Sequence, residues 1–181
     1  MNNNQEQSLN LFEQTVASVQ PTQEWLKQAD EFMKMVSAKP STKAIKKNPF
    51  ANNAEYVEVG YMEMKLDQIT RGLWNSEVID TKIMGNSICC TVRVRFFHWH
   101  FKTWLHRDGV GACPIEVKKG ASPVDFSQIS AKAIQKNLPV ARTEAFKNAC
   151  KSIGNLFGRH PNREFQHEYQ PEPKMEQFIN S

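Results

Sequence analysis

The chain has 181 residues, of which 40% are hydrophobic and 23% are charged, enough for one folded domain but short for two. No run approaches the roughly 18 uninterrupted apolar residues of a membrane span. The N-terminus, MNNNQEQSLN, lacks the basic-then-apolar order of a secretory signal. We therefore expect a cytoplasmic protein whose four cysteines are thiols.

The net charge of +4 is unevenly distributed. Residues 115–163 carry nine basic and three acidic side chains, whereas residues 164–181 carry one and four. A local basic excess indicates a polyanionic partner, because each Lys or Arg placed on a phosphate releases condensed counterions. A solubilising surface is the alternative interpretation.

The N-terminal part is predicted to contribute little to the core. Residues 1–20 are rich in Asn, Gln and Ser, a composition typical of a flexible tail. Residues 21–54 are predicted to hold a helix that begins at Thr22 and carries an apolar stripe through Val36. A basic linker is expected to follow over residues 40–53, with Lys43, Lys46 and Lys47.

A core domain is predicted over residues 55–163. Apolar residues at steps of three and four predict a helix from Val59 that ends near Gly72. Three strands are predicted after it, over residues 77–84, 87–97 and 103–113, with a turn at Gly85 and Asn86.

The middle predicted strand should divide its side chains between two faces. The core face would carry Ile88, Cys90, Val92, Val94 and Phe96. The other face would be basic, with Thr91, Arg93 and Arg95. In the next strand, Gly109 and Gly111 indicate a bulge or a close backbone approach.

The last predicted helix covers residues 139–157, with Pro139 in its first turn and Gly158 at its end. One arc is apolar, with Phe146, Cys150, Ile153 and Phe157. The opposite arc carries Glu144, Lys147, Asn148, Lys151 and Asn155. Lys147 and Lys151 are one turn apart, so both could contact successive phosphates, although an ordinary solvated face has the same spacing. Residues 164–181 are predicted to form an acidic, disordered tail.

Catalytic motifs are lacking in the sequence. It contains neither G-x-x-x-x-G-K-[ST] nor G-x-S-x-G, and we expect no enzymatic activity, cofactor or metal. His98 and His100 would share one face of an extended strand, but a polar and aromatic hairpin tip over residues 98–102 is the preferred interpretation. The aromatic and histidine residues from Phe96 to Trp104 lie beside Arg93, Arg95 and Lys102, a combination typical of base stacking on single strands. Core packing or a subunit interface is the alternative there.

The segment AFKNACKSIGNLFG, with the preceding AR and the strand pieces VRV and DGVGA, resembles the Rad-fifty-two family of single-strand annealing proteins, especially phage recombination proteins of the Sak type. The resemblance covers roughly residues 56–160. It implies an α+β fold with a β-β-β-α core, in which an antiparallel sheet packs on helices. It also implies that subunits join into a ring or helical arc, with single-stranded DNA in a basic groove around the outside.

The resemblance implies a set of DNA-binding residues as well. Lys147 and Lys151 match two cations of the family's core helix that contact the DNA backbone. Asn148 stands where eukaryotic members tend to carry arginine. Arg93 and Arg95 fit the groove floor by analogy. The predicted set is completed by Lys65, Arg142, Lys118 and Lys119.

We therefore predict a homo-oligomer that anneals complementary strands in recombination or break repair, with an exonuclease or a host single-strand-binding protein as candidate partners. A protein that binds single-stranded DNA or RNA and protects it without annealing is the alternative. A metal-dependent nuclease is a third hypothesis, based on the histidine pair and acids such as Asp108 and Glu116. The sequence stops at Ser181, without the recombinase-recruiting half of eukaryotic members, so we expect annealing rather than recombinase loading.

Overall fold

The computed structural model describes residues 22–49, 51–118, 120, 122, 125–129 and 132–161. The two predicted tails, residues 1–20 and 164–181, lie outside the described residues. Lys119 of the predicted DNA-binding set does so too.

The described residues fall into two compact units, residues 22–33 in the first and the described part of residues 34–161 in the second. The described residues of the first unit begin helix α1 (Gln23–Ser37). The predicted cap is confirmed, because the backbone N–H of Trp25 donates to Thr22 Oγ1 at 3.1 Å. In the second unit, Val36 near the end of α1 is buried.

A β-hairpin follows α1 and a short 3-10 helix (Thr42–Ala44). Strand β1 (Ile45–Asn48) pairs antiparallel with β2 (Ala54–Val57). The prediction of a linker over residues 40–53 missed this hairpin. Its strands have only four residues each, which is too short to establish an alternating pattern.

Helix α2 (Val59–Thr70) ends as predicted. Its cap, Arg71, adopts a left-handed backbone conformation with φ 56°, and Gly72 follows with φ 78°. This combination terminates a helix because the chain leaves the right-handed region.

Three long strands form the main antiparallel sheet, in the order β3-β4-β5. They are β3 (Trp74–Met84), β4 (Ser87–His98) and β5 (Thr103–Pro114). The predicted alternation of the central strand is confirmed, since its five core-face residues are at most 2% exposed. Strand β3 begins three residues earlier than predicted and contains a bulge between Val78 and Asp80.

Helix α3 (Ala133–Lys151) packs on β5 and β4. It begins six residues before the predicted start, so Pro139 lies inside the helix and not in its first turn as predicted. It also ends earlier than predicted, and a separate 3-10 helix (Asn155–Phe157) precedes Gly158. Asn155, predicted on the polar arc, is buried there, and its Oδ1 accepts the backbone N–H of His160 at 3.1 Å.

The two glycines of β5 confirm the predicted close backbone approach. A Cβ on Gly109 would lie 2.2 Å from the carbonyl oxygen of Ala145, and one on Gly111 would lie 2.3 Å from that of Ala141. The helix meets these glycines with a ridge of alanines at steps of four, Ala141, Ala145 and Ala149, none of which is exposed. The β4–β5 register is continuous, so the alternative of a bulge at the glycines is wrong.

The fold is thus mixed α+β, with antiparallel sheets and a β-β-β-α order in which α3 covers the sheet, as predicted. In the part of the chain that the structure describes, no helix combines the length and the apolar character needed to cross a bilayer.

Candidate nucleic-acid interface

A groove runs between α3 and the β1–β2 hairpin, with a volume of about 490 Å³. We call it the hairpin groove. It contains both lysines that the sequence predicted as a DNA-binding pair. Its lining comprises Asn48, Pro49, Ala54, Glu55, Tyr56, Glu144, Lys147 and Lys151.

Lys147 is the more enclosed of the two lysines, with only 15% of its side chain exposed. Its ammonium pairs with the carboxylate of Glu144, one turn earlier on α3. It also lies 5.5 Å from the centre of the Tyr56 ring, over its face. A phosphate that reaches Lys147 must therefore share the ammonium with Glu144 or displace that carboxylate.

Lys151 and Asn148 lie on the same side of α3. The amide nitrogen of Asn148 donates to the backbone carbonyl of Val110 at 2.8 Å, which ties the helix to β5. The amide oxygen of Asn148 lies 3.4 Å from the ammonium of Lys151, within hydrogen-bonding distance. Asn148 therefore has a structural contact of its own and helps to orient Lys151.

Arg159 brings a further cation to the end of α3. Its guanidinium donates to the backbone carbonyl of Lys151 at 2.9 Å and also to that of Ser152. A cation is stabilised there because the last carbonyls of a helix carry a partial negative charge. Arg159 was not predicted from the sequence, because a buried 3-10 turn separates it from the helix.

The two predicted arginines of strand β4 lie outside the hairpin groove. Alternation along β4 places Arg93 and Arg95 on the face of the sheet opposite α3, so they do not form the floor of the hairpin groove. Arg93 makes two hydrogen bonds of 2.8 Å to Asp108, and Arg95 lies 2.7 Å from Glu77. The hydrogen bond from Arg93 holds the pKa of Asp108 below its usual value.

The other described members of the predicted set do not line the hairpin groove either. Arg142 lines a second groove between α2, β3 and α3. Lys65, on α2, donates to Gln68 at 2.9 Å and lies 5.4 Å from the Tyr61 ring centre. Lys118 is exposed after β5. The structure therefore brings together only Lys147, Lys151 and Asn148 from that set.

The β1–β2 hairpin supplies one wall of the groove, and this wall was not predicted from the sequence. Tyr56 is directly opposite Lys46 in the β1–β2 register. One signal in the sequence pointed to the hairpin: the Asn52-Asn53 pair, which adopts left-handed turn conformations.

His98, at the β4–β5 tip, has a structural role. His98 is 2% exposed, and its Nδ1 accepts the backbone N–H of Phe101 at 3.2 Å. Burial, with a smaller effect of His100, lowers the pKa of His98 to about 4. Among the described residues, no three His, Cys, Asp or Glu side chains are grouped to hold a metal ion.

Two ammonium groups, two carboxylates (Glu55 and Glu144) and an aromatic ring line the groove. The lysines are chemically suited to a phosphate backbone, which they would bind by charge-assisted hydrogen bonds where the carboxylate of Glu144 shares or gives up its ammonium partner. No profile of a known protein family matches the chain, and no curated protein gives a significant match.

Proposed function

We propose that the protein binds single-stranded DNA in the hairpin groove and anneals complementary strands. The observation that carries this proposal is the convergence of Lys147, Lys151 and Tyr56 in one groove. The resemblance of the α3 sequence to the Rad-fifty-two family supports the same function. The proposal includes assembly of several copies into a ring or arc in the cytoplasm, so that neighbouring grooves form a continuous path.

The proposed mechanism needs no bond chemistry. Contacts between the lysines and successive phosphates hold a strand extended with its bases free. A complementary strand then samples different registers, and base pairing contributes on the order of 1.4 kcal/mol per base step. The protein lowers the barrier to pairing because it partly neutralises the phosphate charge of the strand that it holds.

Lys147→Ala combined with Lys151→Ala tests the groove. Affinity for oligo(dT) should fall, and the slope of log K against log salt should decrease by about 0.7 for each lost phosphate contact. Fluorescence anisotropy between about 50 and 200 mM salt measures both quantities. The matched control is Lys82→Ala with Lys136→Ala, which removes two lysines outside the groove that pair with Asp80 and Glu116. An equal change of slope in both double variants would contradict the groove assignment.

Glu144→Gln tests the same site in the opposite direction. The amide removes the negative charge that faces Lys147, so affinity for oligo(dT) should rise severalfold at low salt. Glu116→Gln is the control, since it removes the carboxylate that faces Lys136 at 2.7 Å. A rise in affinity no larger than that of this control would mean that Lys147 does not contact phosphate.

A further inference from the structure

Three aromatic rings cluster where β4 turns into β5. The ring of Phe97 packs edge to face against Trp99 and against Trp104, with centroid distances of 5.0 and 5.7 Å. Phe97 and Trp104 are directly opposite in the β4–β5 register, on the face of the sheet away from α3. Trp99 is 42% exposed and Trp104 is 50% exposed. We call these three residues the aromatic platform.

Two cations accompany the aromatic platform. The guanidinium of Arg71 lies over the Trp99 ring, 5.6 Å from its centre. Arg71 is the left-handed residue that ends α2 (φ 56°). Lys102 is exposed in the turn that precedes Trp104. Neither of these two cations forms a salt bridge within the described residues.

The combination of exposed rings and these cations decides what fits the platform. Half-exposed tryptophans are costly in water, so the platform is suited to an apolar ligand surface. A purely apolar protein partner would bury Arg71 and Lys102 without a counter-charge, which is unfavourable. An unpaired nucleic-acid strand supplies both requirements, since its bases have flat apolar faces and its phosphates are anionic.

We propose that the aromatic platform is a second contact for single-stranded nucleic acid. Unpaired bases stack on Trp99 and Trp104, while Arg71 and Lys102 contact the adjoining phosphates. The choice of ligand rests on the proposed function, but the aromatic platform is a different surface from the hairpin groove. The hairpin groove lies on the α3 side of the sheet and grips the backbone, whereas the platform lies on the opposite face and grips bases.

The test compares two oligonucleotides of equal length, oligo(dT) and an abasic strand that keeps the phosphates but has no bases. Trp99→Ala with Trp104→Ala should lower affinity for oligo(dT) by about fivefold or more, as expected for the loss of base stacking. It should leave affinity for the abasic strand unchanged. Lys147→Ala with Lys151→Ala should instead weaken binding of both strands by similar factors.

The possible results separate the two proposals. If the tryptophan variant binds oligo(dT) as tightly as the wild type, the platform is overturned and the groove is unaffected. If only the tryptophan variant loses affinity and the lysine variant does not, the groove fails and the platform stands. A change in oligomeric state by light scattering, with base-dependent binding intact, would make the platform a subunit interface and overturn the inference.

A milder variant keeps the test decisive if the tryptophan variant does not fold. Arg71→Gln with Lys102→Gln changes two exposed side chains and leaves the rings in place. This variant should bind both oligonucleotides more weakly and lower the salt slope by up to about 0.7 per lost contact. An unchanged slope in a folded protein would overturn the platform as a nucleic-acid contact.

Discussion

Lys147 and Arg93 are both basic residues on regular elements, and each has an acidic partner that the sequence did not reveal. Glu144 lies on the same helix as Lys147, one turn away, but helical spacing alone does not show whether two side chains pair. Asp108 is 15 residues from Arg93 and becomes its neighbour only through the β4–β5 register. The sequence predicted which face of α3 carries Lys147 and which face of β4 carries Arg93. Their acidic partners were not predictable, because pairing depends on side-chain rotamers and on strand register.

His98 leads to a prediction about pH. The folded state keeps this imidazole neutral down to about pH 4, whereas in the unfolded chain it binds a proton near its ordinary pKa of 6.5. Between pH 6.5 and 4 the unfolded state therefore holds more protons, and the free energy of unfolding should fall as the pH falls. Urea unfolding at several pH values across this window measures the decline.

His98→Phe isolates this contribution. Phenylalanine fills a similar volume and preserves the stacking on Phe101, whose ring centre lies 4.0 Å from that of His98. The decline between pH 6.5 and 4 should be shallower in this variant, by up to about 1.4 kcal/mol per pH unit. Parallel curves for the variant and the wild type would show that His98 does not resist protonation in the folded state.

At the level of elements, prediction succeeded where a pattern was long. Strand β4 alternates over twelve residues, so its start, its end to within one residue and its core face were predicted correctly. Helix α3 was placed too late because Pro139 is typical of a first turn. Buried packing of Ala133 and Asn137 extends the helix before the proline. Asn137 donates to the carbonyl of Pro114 at 2.8 Å, a tertiary contact that propensity cannot reveal.

Because α3 and β5 are in close contact, one methyl group added between them should strongly lower the free energy of unfolding. In Gly111→Ala, the added Cβ would lie 2.3 Å from the backbone of Ala141 and Ala145. Because backbone atoms cannot rotate away as a side chain can, helix and strand must separate. We expect a loss of about 1 to 3 kcal/mol or more in the free energy of unfolding, measured by urea denaturation.

Gly60→Ala is the matched control for this substitution. A Cβ at Gly60, on α2, meets nothing within 4 Å, and alanine favours a helix by up to about 1 kcal/mol over glycine. This variant should be as stable as the wild type or more so. Equal stability of the Gly111 and Gly60 variants would refute the close packing of α3 on β5.

For the whole molecule, the β-β-β-α order was predictable because each element had its own period and a clear turn on either side. The two surfaces that this order of elements creates, one on each side of the sheet, were not predictable in the same way. Arg93 and Lys147 were assigned to one groove, but the sheet separates them, since strand alternation determines which face meets α3. The hairpin that completes the groove comes from a segment interpreted as a linker, so no sequence pattern joined it to the helix.

For the assembled protein we expect annealing activity. The protein should accelerate pairing of complementary oligonucleotides several-fold, measured by fluorescence energy transfer between labelled strands. Negative-stain images with single-stranded DNA should show rings or arcs. The lysine double variant is the control and should accelerate pairing less. Slower pairing in the presence of the wild-type protein would support the alternative, a protein that protects single strands without annealing them.

The glycine and alanine contacts also have a mechanical consequence. Two residues along a strand advance about 6.7 Å and four along a helix about 6 Å. Gly109 and Gly111 therefore both face the small alanine side chains in only one alignment of the helix with the strand. The helix cannot slide along β5 without driving a larger side chain into the strand.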